Sequence, residues 1–244
     1  MLGLPEAVTA CLFDMDGVIT QTAKVHDAAW KEMFDEFLRA WSAAHDENFV
    51  PFDPVADYDE YVDGKPRIDG VRSFLQSRGI ELPQGQESDQ AGAQTLNGLG
   101  NQKNELLLKV IERDGVQAYA GSVRYVNAVR EAGLRTAIVS SSANTEAVLK
   151  AAGVNGLFEV RIDHQAAEAH QLQGKPAPDT FLEAARELGV GAANACVYED
   201  ALAGVAAGRA GHFGFVVGVD RVGQADQLHA HGADVVVKDL AELL

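Results

Sequence analysis

"LFDMDGVIT", residues 12–20, decides how the rest of the chain is read. An apolar run ends in two carboxylates one residue apart, Asp14 and Asp16, and Gly17 follows at once. A short all-apolar run that stops at a glycine turn reads as a strand buried on both faces. Two like charges at its tip repel each other, and burial raises that cost. Something positive has to hold them together.

Similar apolar runs recur outward from this point, each followed by a turn and then a helical pattern. Strands are expected at 10–13, 136–139, 158–162, 195–198, 213–217 and 234–237. Helical patterns start near Ser122, Asn144, Asp179 and Ala201, and stop at Gly133, Gly153, Gly189 and Gly211, glycines that suit helix C-caps. Short apolar strands alternating with helices imply an α/β fold around a parallel sheet. Between residues 21 and 118 the alternation is lost. The stretches "AKVHDAAWKEMFDEFLRAWSA", "DGVRSFLQSRG" and "NQKNELLLKVIERDG" read as amphipathic helices. The expected organisation is an α/β core of residues 1–20 and 119–244, with an inserted helical cap domain at 21–118. The polar segment 83–100, rich in Gly and Gln, reads as a long loop.

The totals narrow the function. A chain of 244 residues with net charge −16 lacks the basic footprint that nucleic acid requires, so neither nucleic acid nor an anionic membrane is expected as a partner. A local cluster of cations can still bind a small anion. The N-terminus has no basic region ahead of an apolar stretch, and no run is long enough to span a bilayer; a cytoplasmic location and a monomer are expected. The two cysteines, Cys11 and Cys196, each lie in an apolar run and read as buried thiols.

Open parallel sheets bind ligands at the carboxyl ends of their strands. The first strand delivers Asp14 and Asp16, the second Ser140 with Ser141 and Ser142 after it, and the fourth Glu199 and Asp200, while "QGKPAPDTF" places Lys175 just ahead of a helix. Oxygen-only carboxylate clusters suit Mg²⁺, which would neutralise the repulsion noted at the outset. One aspartate is then free to attack phosphorus, and the other to move a proton on or off the oxygen that leaves or accepts. Ser140 and Lys175 would hold phosphoryl oxygens, and backbone N–H groups after Asp14, with Gly17 giving a tight turn, would form an anion nest.

"DMDGV", the strand-end serine, "GKPAPDTF" and "YEDALAGV", in that order and spacing, resemble the four motifs of the haloacid dehalogenase-like superfamily. The resemblance implies a Rossmann-like doubly wound parallel sheet with an α-helical cap inserted after the first motif. It also implies that Asp14 is the nucleophile, Asp16 the general acid/base, Ser140 the hydroxyl of the second motif and Lys175 the lysine of the third. Mg²⁺ would be held by Asp14, Asp16, Glu199 and Asp200. The second aspartate points to phosphoryl transfer, since dehalogenases of the family generally lack it.

"DGVIT…H…AW" further resembles the β-phosphoglucomutase branch. That likeness assigns His26 and Trp30 to the cap, and "DGKPRIDGV" to a cap loop whose Arg67 binds the non-reacting phosphate. It also nominates Lys103, Asn104, Ser142 and Asn144 as substrate contacts. A fork-shaped guanidinium suits a second phosphate site. Two positions depart from the branch: Ala143 stands where a lysine is expected, and Gln21 where an aspartate is. The expected activity is therefore phosphoryl transfer on a small phosphorylated sugar, as a mutase or as a phosphatase with water as acceptor. A phosphonate hydrolase would need a Schiff-base lysine such as Lys24 or Lys31. An inactive binding module would require loss of one of the acids, and all of them are present.

Overall fold

The computed structural model describes residues 2–63 and 65–244, less the side chains of Ala23, Lys24 and Asp114. The chain divides into two compact units, one of residues 1–21, 64–66 and 116–244, the other of residues 22–63 and 67–115.

The first unit is built on strands β1 (Ala10–Phe13), β2 (Arg135–Val139), β3 (Val160–Ile162), β4 (Ala195–Glu199), β5 (Phe215–Val219) and β6 (Val235–Val237). The sheet order is β3-β2-β1-β4-β5-β6 and every pairing is parallel. That is the doubly wound arrangement. Its order reverses at β1, where the crevice for a ligand opens. Phe13 is in register with Ile138 on one side and Tyr198 on the other, so the residues that follow leave three adjacent strands at one level.

The second unit is helical. In chain order it holds α1 (Ala23–His45), α2 (Ala56–Tyr61), α3 (Arg67–Ser77) and α4 (Leu96–Asp114). Trp30, Phe34, Phe37 and Leu38 recur at helical spacing on α1 and meet Phe52, Phe74, Leu75, Leu96 and Leu99 in one buried cluster. Phe34 is its hub, with ring centroids 4.2 Å from Phe74, 5.1 Å from Phe52 and 5.3 Å from Trp30. Each such ring removed from water is worth roughly 1.5–3 kcal/mol, so this unit has a core of its own.

Back in the first unit, the helices are α5 (Ala120–Glu131), α6 (Thr145–Ala151), α7 (His164–Ala169), α8 (Asp179–Glu187), α9 (Leu202–Ala210) and α10 (Ala225–His231). Phe181 and Ala184 of α8, Leu188 at its C-cap and Val205 of α9 pack with Leu12, Val139 and Val197 of the sheet.

The structure corrects several expectations. The loop expected at 83–100 ends at Thr95, whose hydroxyl caps α4 by accepting from the Gly98 N–H at 2.9 Å. Leu96 and Leu99 then reach the core, so burial outweighs the low helix propensity of the two glycines. Residues 84–89 are stapled to this helix. Asn101 donates to the Glu87 and Asp89 carbonyls at 2.9 Å. The fifth strand runs two residues later than expected, because Phe213 leaves the ladder to pack on Phe181. Ser122 does not open α5; its hydroxyl donates to the Val18 carbonyl at 2.6 Å instead. Gly133, Gly153 and Gly189 take positive φ after their helices, but after α9 the left-handed residue is His212, and Gly211 stays at φ −78°. Arg67 opens α3 instead of lying in a loop.

Candidate active site

The Asp14 N–H donates to the Tyr198 carbonyl at 2.9 Å, which carries the β1–β4 ladder one residue past the strand and fixes the Asp14 carboxylate beside Glu199. Lys175 Nζ bridges the two. It is 2.5 Å from Asp14 Oδ1, makes a short contact with Glu199 Oε1, and lies 4.9 Å over the Phe181 ring. All three groups are buried. Burial pushes the Asp14 carboxyl well above its ordinary range, with Lys175 opposing and Glu199 and Asp16 reinforcing the shift. Burial alone would lower the Lys175 pKa, yet the two carboxylates hold the ammonium above its usual value.

The acids fit a hard cation. Asp14, Glu199 and Asp200 each offer an oxygen within 4.8 Å of the others, and one ammonium does not balance them. Glu199 is also committed elsewhere, with Oε1 on Lys175 and Oε2 accepting from the Ala201 N–H at 2.9 Å. Two glycines make room for the acids. A Cβ on Gly17, which sits at φ +79°, would lie 1.6 Å from Asp200 Oδ2. One on Gly204 would lie 1.8 Å from Glu199 Oε1.

The Gly17 N–H is not part of an anion nest, because it donates to the Thr20 carbonyl at 2.9 Å to close the turn. Ser140 leaves β2 buried, and its Oγ accepts from the Ser142 N–H at 3.1 Å. Ser142 Oγ in turn accepts from the Asn144 N–H at 3.1 Å, just before α6. This relay orients the serine oxygens.

The helical unit gathers its own candidates. Lys103 is buried on α4. Its Nζ lies 2.8 Å from His26 Nδ1 and 5.0 Å over the Trp30 ring. Burial, aided by that ammonium, lowers the His26 pKa well below its ordinary value, so the imidazole is neutral and Nδ1 accepts from Lys103. Arg67 Nη1 donates to Asn104 Oδ1 at 2.7 Å, and Arg67 Nε is buried without a hydrogen-bond partner among the described residues. Lys31 is held by Asp35 and the Phe52 carbonyl, both at 2.9 Å, which leaves it poorly placed as a Schiff-base nucleophile. The Lys24 side chain lies outside the described residues.

Sequence reasoning missed Asp27, whose carboxyl is pushed up to about 6 by burial and by Asp59, with Lys103 opposing. It also missed the segment after β5. The strand-end rule would have found that segment had the strand been placed two residues later.

A family model described as haloacid dehalogenase-like hydrolase matches residues 8–212. The chain is 57% identical over 247 residues to the beta-phosphoglucomutase of Mycobacterium bovis, covering 100% of this chain and 94% of the relative. It is 30% identical to the beta-phosphoglucomutase of Bacillus subtilis, with 96% and 91% covered. A crystal structure of beta-phosphoglucomutase from Clostridium difficile superposes with a TM-score of 0.76 at 24% identity, over 97% of this chain and 93% of that one, a likeness of fold.

Proposed function

Because this chain belongs to the haloacid dehalogenase-like hydrolase family, we propose that it is a β-phosphoglucomutase, passing a phosphoryl group through Asp14 to interconvert β-glucose 1-phosphate and glucose 6-phosphate. The observation that carries this reading is the full-length 57% identity to a beta-phosphoglucomutase, joined to a nucleophile gripped by Lys175.

Asp14 attacks phosphorus and the bond to the ester oxygen breaks, leaving the phosphoryl group on the carboxylate. Asp16 protonates the departing oxygen and later takes the proton from the incoming hydroxyl. Lys175 and Ser140 bind the phosphoryl oxygens as charge builds on them. Asp14, Asp200 and Asp16 would hold Mg²⁺, with Glu199 acting first as the anchor of Lys175. When bound, the cation neutralises charge on the transferring group and screens it from the acids. Arg67 would grip the phosphate that does not react; its buried Nε, without a hydrogen-bond partner among the described residues, is the donor that phosphate would satisfy. Lys103, His26, Trp30, Asn104, Ser142 and Asn144 would contact the sugar, and exclusion of water from the phosphoaspartate is what a mutase needs.

The deciding experiment is a ³¹P NMR time course with β-glucose 1-phosphate, Mg²⁺ and a trace of glucose 1,6-bisphosphate. Glucose 6-phosphate is expected to accumulate; release of inorganic phosphate alone would instead mark a phosphatase. Excess chelator is expected to stop turnover, and added Mg²⁺ to restore it. Undiminished activity in chelator would remove the cation from the reaction. Arg67→Ala is expected to cost about 2–5 kcal/mol in the mutase reaction, the range for truncating one partner of a buried charged pair. Hydrolysis of a simple aryl phosphate should be nearly untouched, and equal losses would show that Arg67 does not grip a second phosphate.

A further inference from the structure

Residues 220–224, which connect β5 to α10, hold two carbonyls of the acidic site. Arg221 Nε donates to the Gly17 carbonyl at 2.7 Å and Nη1 to the Lys238 carbonyl at 2.6 Å. The guanidinium carbon lies 3.6 Å from the Tyr119 ring centroid, and Asp239 Oδ2 is 3.6 Å from Nη1. Three residues on, Gln224 Nε2 donates to the Asp200 carbonyl at 3.0 Å. The segment is itself braced by Asp220 Oδ1, which accepts from the Gly223 and Gln224 N–H groups at 2.6 and 2.8 Å.

These contacts converge on a crowded point. Asp200 Oδ2 lies against the bare Cα of Gly17, so any drift of the 14–17 turn changes where the Asp200 carboxylate stands relative to Asp14. The Gly17 turn is closed on its other side by the Thr20 carbonyl, and Thr20 bridges to Ala118. The Tyr119 N–H donates to the Ile19 carbonyl at 2.9 Å. Arg221 therefore grips the nucleophile turn and, through the Tyr119 ring, the segment where the chain re-enters the first unit.

We propose that Arg221 is a positioning residue for the cation site, fixing the Gly17 carbonyl so that Asp14, Asp16 and Asp200 stand ready for Mg²⁺. The inference rests on the cation reading above. It makes a prediction opposite in sign to plain electrostatics. Removing a positive charge near an acidic cluster should tighten cation binding. Removing a brace should weaken it, because binding must then order the turn.

The experiment is calorimetric titration of Mg²⁺ into the full chain without substrate, comparing the native protein with Arg221→Met and Arg221→Lys. Arg221→Met is expected to raise the Kd 5- to 20-fold. Arg221→Lys, which keeps the charge and can reach one carbonyl but not two, should fall between. An unchanged or lower Kd in a folded Arg221→Met protein overturns the proposal. If that variant does not fold, Arg221→Lys decides alone, and a Kd equal to the native one overturns it. A native protein that binds no Mg²⁺ would sink the cation reading itself, a separate result.

Discussion

Asp14→Asn is expected to abolish turnover, by roughly 10⁴-fold or more in kcat, the scale on which removing a covalent nucleophile acts. The amide is isosteric but cannot carry a phosphoryl group. Folding should survive. The substitution removes one of the carboxylates crowded around Lys175, and Glu199 still partners the ammonium. The buried Asp14 carboxyl is held well above its ordinary range, so loss of its charge relieves repulsion from Glu199 and Asp16 as well as losing an ion pair. The check is steady-state turnover beside a urea denaturation curve. A folded Asp14→Asn protein that retains activity would falsify the phosphoaspartate route.

Lys175→Met should damage both activity and stability. Turnover is expected to drop about 10³-fold, since the ammonium both orients Asp14 and meets the phosphoryl oxygens. Removing one partner of a buried ion cluster costs about 3–5 kcal/mol. Here it leaves Asp14 and Glu199 facing each other without a counter-charge. A carboxyl whose folded pKa is raised opposes folding as pH climbs from its unfolded value near 4 through the raised one. Losing Lys175, the group that lowers the Asp14 pKa, moves it further up. The stability deficit should therefore be greatest at neutral pH and shrink as pH falls toward 5. Denaturation curves at pH 5 and 7.5, both in chelator, test the sign. A deficit that does not change with pH would mean that packing of the lysine stem, not charge, is what was lost.

The fold was legible in the sequence because parallel strands buried on both faces have to be almost purely apolar. "ACLF" and "ACVYE" carry no alternative face, and the acids directly after them mark where each strand ends. The strand-end rule placed Asp14, Ser140, Glu199 and Asp200 along one edge without side-chain knowledge. It failed after β5 for a traceable reason. Phe213 and Gly214 look like strand, but Phe213 packs on Phe181, so the true strand end moved to Val219 and hid Arg221 and Gln224. Helix α4 was cut short for the opposite reason, since Gly98 and Gly100 read as loop while Leu96 and Leu99 were the residues that mattered. The glycines at 17 and 204 carried their signal in what they exclude, a Cβ against Asp200 or Glu199, and that is invisible until the acids have positions.

The pairing of Ala10 with Ala195 has a consequence for synthesis. The nucleophile is synthesised long before its ladder partner, because the whole helical unit and two strands lie between them in the chain. The helical unit, whose core closes within residues 30–99, can settle long before that. Sheet contacts so distant in sequence form slowly. A truncated chain ending before β4 would carry Asp14 without Glu199, Asp200 or the Tyr198 carbonyl that orders it. Chains that stop short of β4 are thus expected to be inactive, and the acidic site can assemble only once the fourth strand docks.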